Sequence, residues 1–137
     1  MRTAIIDVQE AIFGALDGKV TLAGETVPVF DNVPDGQDVP YIMFGETSER
    51  AWNTKTRRGT EQTVPIHVFA SNSGGREDAV SILNQVIGML DDKRLTVADH
   101  ALVGIRYAVG ADTVVVDDPD GETVHVVARF WVIVQEV

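Results

Sequence analysis

Apolar residues recur along this chain with two different periods, and the change from one to the other places most of its elements. Between residues 3 and 16, Ile5, Val8, Ile12 and Leu16 fall three or four residues apart, with Ile6 and Phe13 beside them. That spacing predicts an amphipathic helix. Thr3 is placed to cap its start, and Gly18 after Asp17 suits the left-handed residue that ends many helices. Lys19 to Phe30 predicts two short strands split near Ala23-Gly24-Glu25, and Asp31 to Pro40 a loop with a Pro34-Asp-Gly36 turn.

Two apolar runs follow, Tyr41-Ile-Met-Phe44 and Val64-Pro-Ile-His-Val-Phe69, within strands predicted over Tyr41–Thr47 and Glu61–Ala70. The polar segment between them, Ser48 to Thr60, has no core of its own and is too long for a tight hairpin turn. Ordering such an arm is unfavourable unless something holds it, so it is expected to meet another chain. Pro65 lacks a ladder donor and belongs at an edge, at a bulge, or with its nitrogen turned away from the neighbouring strand. After a connector at 71–75, Ala79, Ile82, Leu83, Val86, Ile87 and Leu90 predict a second helix over about Arg76–Leu90. Glu77 and Asp78 in its first turn carry the sign the helix dipole favours.

The tail predicts a hairpin of Ala101–Val109 and Thr123–Val134, joined by an acidic loop with a second Pro-Asp-Gly turn at Pro119–Gly121. In the first strand Val103, Ile105, Tyr107 and Val109 alternate as one face. In the last strand both faces are largely apolar. Val124, Val126, Ala128, Phe130, Val132 and Val134 fill one, and His125, Val127, Arg129, Trp131 and Ile133 the other. The expected fold is therefore α+β, with a single mixed or antiparallel sheet of about five to six strands and two helices packed on one face. Two helices cover one face only. Exposure of Trp131, Val127 and Ile133 on the other forfeits roughly 1.5–3 kcal/mol per side chain that burial would supply, so either the arm at 48–60 folds back over them or a second subunit shields them.

Composition narrows the function. The 137 residues suit one domain over 1–137, and 45% hydrophobic content suffices for a core. The absence of cysteine excludes disulfide and thiolate chemistry. A formal net charge of −10 has the wrong sign for gripping phosphates, so no sequence-specific nucleic-acid partner is expected. No apolar run approaches the roughly 18 residues of a membrane span, and no membrane partner is expected.

Catalytic chemistry finds no footing. His67, His100 and His125 lack metal-motif spacing, and the acidic residues at 117–122 lack the calcium-loop ladder, leaving an opportunistic cation as a minor alternative. Gly74-Gly75 precedes a helix, but Glu77 and Asp78 would repel phosphate, and no Gly-x-Ser-x-Gly elbow occurs. No cofactor and no metal are expected. The candidate sites are interfaces. Trp52, Lys55, Arg57 and Arg58 form the one basic, aromatic-bearing patch of an acidic protein, and Asp117, Asp118 and Asp120 a patch of opposite sign. With Trp131 they are the candidate contacts to a sister subunit or to another component.

The order of elements carries a resemblance. A helix and short strands lead to Val39-Pro40-Tyr41-Ile42-Met43-Phe44. A polar arm is followed by Val64-x-Ile66-x-Val68-Phe69-Ala70, a helix with Ala79, Leu83, Val86 and Leu90, and a closing strand with Arg129-Phe130-x-Val132. Over nearly the whole chain this resembles the phage tail completion family of long-tailed phages and gene transfer agents, similar in fold to the lambda tail terminator. The resemblance implies a structural virion protein that is not an enzyme. It would be assembled in the host cytoplasm into a homo-oligomeric ring of six, which caps the tail tube protein and joins a head-tail connector or stopper protein. The link Leu95–His100 is shorter than is usual in such proteins. Two alternatives remain: a head-closure or minor tail protein of the same virion, and a small metal-dependent enzyme with its site in the acidic loop.

Overall fold

A computed structural model describes residues 2–109 and 112–137. Helix α1 spans Ile5–Leu16 and α2 spans Glu77–Leu90. Strands β1 (Thr21–Leu22) and β2 (Glu25–Thr26) form a small hairpin, turned through Ala23 and Gly24 at positive φ. Gln85 of α2 pins it by accepting the Thr21 N–H at 3.0 Å and donating to the Thr21 carbonyl at 2.8 Å. The remaining strands are β3 (Val29–Phe30), β4 (Tyr41–Phe44), β5 (Ser48–Ala51), β6 (Gly59–Ser71), β7 (His100–Tyr107), β8 (Val114–Asp117) and β9 (Thr123–Glu136).

The long antiparallel pair β6–β9 is the spine, in register from Gly59↔Gln135 to Ser71↔Thr123. On the outer side of β6 lie β4 and then β5 end to end, and β3 joins β4 in parallel. On the outer side of β9 lie β7 and then β8 end to end. Seven strands thus make five columns, more strands than the sequence predicted but the same α+β class.

The core lies on one face of the spine. Val64, Ile66, Val68 and Ala70 of β6 and the even-numbered residues Val124 to Val134 of β9 pack with Val8, Ile12 and Leu16 of α1 and Ala79, Ile82, Leu83, Val86 and Leu90 of α2. Both helices therefore cover that face. Ile6 and Phe13, expected beside the buried row of α1, are instead 55% and 40% exposed. At 100° per residue they lie roughly 100–160° round the helix from Val8 and Ile12. The buried stripe widens the other way, through Ala4, Ala11 and Ala15, whose small side chains allow close approach.

Three local departures come from how the strands pair. The arm predicted over 48–60 is a strand hairpin with a tip at Trp52–Arg58, because Ser48–Ala51 pair with Thr60–Thr63. The acidic loop contains β8, where Val114–Asp117 pair with Val127–Val124. A bulge between Leu102 and Gly104 turns Val103 out, 49% exposed, while Ile105 stays buried.

Pro65 sits opposite a second irregularity. Phe44 pairs with Ile66 but Ser48 pairs with Thr63, so three residues of the β4–β5 column face two of β6. The Gly45 N–H donates to the Pro65 carbonyl at 2.9 Å. A residue's nitrogen and carbonyl point to the same side of a strand, so the missing donor faces this bulge and not β9.

Candidate assembly surfaces

The face of the sheet opposite the helices is left bare by the described residues. Strand alternation puts Tyr41 and Met43 of β4, Thr63, Pro65, His67 and Phe69 of β6, and His125, Val127, Arg129, Trp131 and Ile133 of β9 on this side. Val114 and Val116 of β8 join them, paired with Val127 and His125. Trp131 is 43% exposed. It borders a shallow depression lined by Ser48, Arg50, Glu61 and Thr63, and Pro65, His67, Val114 and Val127 line a second of about 830 Å³.

One end of this face carries a cross-strand row of rings. Tyr41 stacks on Phe69 with centroids 4.9 Å apart, and Phe69 on His125 at 4.1 Å. Such pairs stabilise adjacent strands beyond their buried area. Asp118 lies close by. The Tyr41 phenol is pushed up by burial and then by the field of Asp118.

The basic residues occupy the opposite end of the spine. Trp52 to Arg58 form the tip of the β5–β6 hairpin, closed by Trp52 N–H to the Gly59 carbonyl at 2.8 Å, Thr54 N–H to the Arg57 carbonyl at 2.9 Å and Gly59 N–H to Asn53 Oδ1 at 3.1 Å. Lys55, Arg57 and Arg58 are exposed and form no ion pair among the described residues, whereas Trp52 is half-buried at the base of the tip. Gly59 allows this closure: a Cβ there would lie 2.5 Å from the Trp52 carbonyl and 2.8 Å from that of Val134.

The acidic turn is ordered by its own hydrogen bonds. Asp120 Oδ1 accepts the N–H groups of Glu122 and Thr123 at 2.8 and 3.0 Å, and Oδ2 accepts the Thr123 hydroxyl at 2.8 Å. Those bonds, led by the Glu122 N–H, hold its pKa below the usual value. Asp120 therefore serves its own turn. Asp117 has a long pair with Arg76 at 3.7 Å. The carboxylates do not converge, and among the described residues no group of three or more histidines and acids could hold a metal ion. Among the described residues no helix is long and apolar enough to cross a membrane.

The sequence-derived candidates thus fall on three surfaces: tip, acidic turn and bare face. Within one chain the structure does not bring them together. Thirteen paired positions at about 3.3 Å each separate the tip from the acidic turn by roughly 40 Å. Sequence reasoning missed Tyr41, Phe69 and His125 as a row and Glu49 as an anchor. Phe69 shares odd parity with Pro65 and His67 and could have been assigned to the bare face. The partners of Glu49, Ala4 and Gln62, are 45 and 13 residues away, and no local pattern marks them.

A compact α+β domain without a metal-binding cluster among its described residues, bearing a bare apolar sheet face and two ends of opposite charge, has the architecture of an assembly component. Residues 10–135 match the family model described as tail completion protein gp17. The chain belongs to that family and is a structural tail protein of the phage type. It is also similar in fold to a chain in a solved structure described as the virion of a native gene transfer agent particle, with a TM-score of 0.82 and 20% identity, covering 98% of this chain and 99% of that one. Among curated proteins none matches.

Proposed function

We propose that this protein is a tail terminator. Copies associate into a closed ring, expected to hold six, that caps the tail tube protein and presents a surface to the head-tail connector or stopper. It acts by binding and not by catalysis, and it joins the virion during assembly in the host cytoplasm. The observation that carries the reading is the bare face. Trp131, Val127, Ile133, Val114 and Val116 lie together on a sheet that the chain's own helices cover only from behind. Contiguous apolar surface of this kind marks a partner site, and a sister copy supplies the cover. The family membership supports the tail role, and the separation of basic and acidic ends supports a head-to-tail contact, the kind that closes a ring.

Native mass spectrometry of the purified protein over a range of concentrations tests the ring. A discrete multiple of the chain mass is expected, and a single-chain mass throughout overturns it. Particles made without the protein test the position. Overlong tails are expected of a missing terminator, while finished tails that fail to join heads would assign it to head closure instead.

A further inference from the structure

The structure points to the partner of the unpaired basic tip: we infer that Lys55, Arg57 and Arg58 of one copy seat on the surface made by Asp118 and the Tyr41–Phe69–His125 row of the next. The inference rests on the reading that copies of this chain associate.

The two surfaces are complementary in charge. The tip, Trp52–Arg58, carries three cations and no anion in a chain whose net charge is −10. At the other end Asp118, in the turn after β8, lies on the side of the ring row, as Val116 does opposite His125, whereas Asp117 pairs with Val124 and turns to the helix side, toward Arg76. Asp117 has only its long contact to Arg76, itself exposed, and Asp118 forms no ion pair among the described residues. Asp120 is excluded because both its oxygens are engaged within the turn.

The two surfaces also cannot meet within one molecule. They lie at opposite ends of the β6–β9 ladder, whose register runs unbroken between them. A contact between them joins different patches on two copies, and so is heterologous. It has a further consequence for a strongly acidic protein. Like-charged copies repel, and association needs a local pairing of unlike charge to overcome that repulsion and set the register. The half-buried rings of Tyr41, Phe69 and His125 form the apolar border of the acidic patch. Long arginine side chains can lay their methylene stems there while their guanidinium groups reach the Asp118 carboxylate. Both surfaces are preformed: internal hydrogen bonds close the tip, and the acidic turn is tied to its own residues and to Asn72.

Charge swapping tests the pairing. Arg57→Glu with Arg58→Glu, and separately Asp118→Arg, are each expected to weaken self-association by about tenfold or more at low salt. The triple variant is expected to regain assembly. The neutral variants Arg57→Gln with Arg58→Gln and Asp118→Asn provide the same comparison if a reversal impairs folding, which circular dichroism reports. Wild-type assembly that neither the reversed nor the neutral variants weaken overturns the inference and leaves the ring standing. Loss in each reversal without recovery in the triple variant also overturns the direct pairing. A wild-type protein that stays a single chain at every concentration fails the ring itself.

Discussion

His67 Nδ1 and His125 Nε2 lie 2.6 Å apart across neighbouring strands on the bare face. One ring must donate and the other accept, so at least one is neutral. Burial lowers the pKa of His67, helped by the fields of His125 and Arg129. Burial also lowers that of His125, against the opposing pull of Asp118. Tyr41 and Phe69 complete the surroundings without charge at neutral pH. A histidine harder to protonate when folded than when unfolded stabilises the fold above its ordinary value of 6.5, and the contribution is lost as pH falls through the folded value. Acidification below that value is therefore expected to lower the melting temperature more in the wild type than in a His67→Asn, His125→Gln variant. Superimposable pH profiles would show that the pair carries no proton linkage.

Glu49 ties the β5–β6 hairpin to the body. Its Oε2 accepts the Ala4 N–H at 3.1 Å, the Thr60 hydroxyl at 3.1 Å and the Gln62 amide at 3.0 Å. The first of these caps the N-terminus of α1, where a carboxylate is favoured. Burial pushes this carboxyl up, but hydrogen bonds from Thr3, Ala4, Thr60 and Gln62 outweigh it and hold its pKa below the usual value. Glu49→Ala strands the fully buried Gln62, whose Oε1 already has no partner. A loss of about 1–2 kcal/mol is expected, read as an earlier urea midpoint with little change in slope. An unchanged midpoint would mean that water replaces the carboxylate freely.

The contrast between Glu49 and Ile12 shows what the sequence could and could not reveal. Ile12 belongs to a local period, and both helices, the last strand and its two-sided apolar character follow from periods of that kind. The fold class was legible for this reason. Residues 48–51 and 114–117 have the sequence pattern of an arm and a loop because their strand character depends on partners 9 to 15 and 7 to 13 residues away. Val114–Val116 are β-branched and held the local hint, outweighed by the acids that follow. Ile6 and Phe13 were misplaced because small alanines, not large residues, mark one border of the α1 contact. At the candidate surfaces, charge identified the tip and the acidic turn, but only the β6–β9 register shows that they occupy opposite ends. Nothing local indicates that Asp120 is spent on its own turn.

Gly59 is expected to tolerate no side chain. The atoms that a Cβ would meet, the carbonyl oxygens of Trp52 and Val134, belong to the backbone and cannot swing aside. Gly59→Ala must open the hairpin or shift β9, at about 1–3 kcal/mol. Gly104→Ala is the control, since nothing lies within 4 Å of its added Cβ. Thermal melts of the two variants should differ by several degrees (about 4 °C or more). Equal melts would place the hairpin tip off the body.

Phe130 and Trp131 are neighbours in β9 on opposite faces, one fully buried and the other 43% exposed. Truncation separates folding from assembly. Phe130→Ala removes the largest fully buried side chain from between sheet and helices and is expected to cost about 3–5 kcal/mol. Trp131→Ala opens no cavity in the lone chain and is expected to change its stability by under about 1 kcal/mol. Its effect should appear in association, where an exposed tryptophan on an apolar face anchors a contact. Equilibrium unfolding in dilute solution and sedimentation at high concentration divide the two effects. If Trp131→Ala destabilises the single chain as much as Phe130→Ala does, the tryptophan is part of the chain's own core. If it alters neither stability nor association, the bare face is no interface at this position.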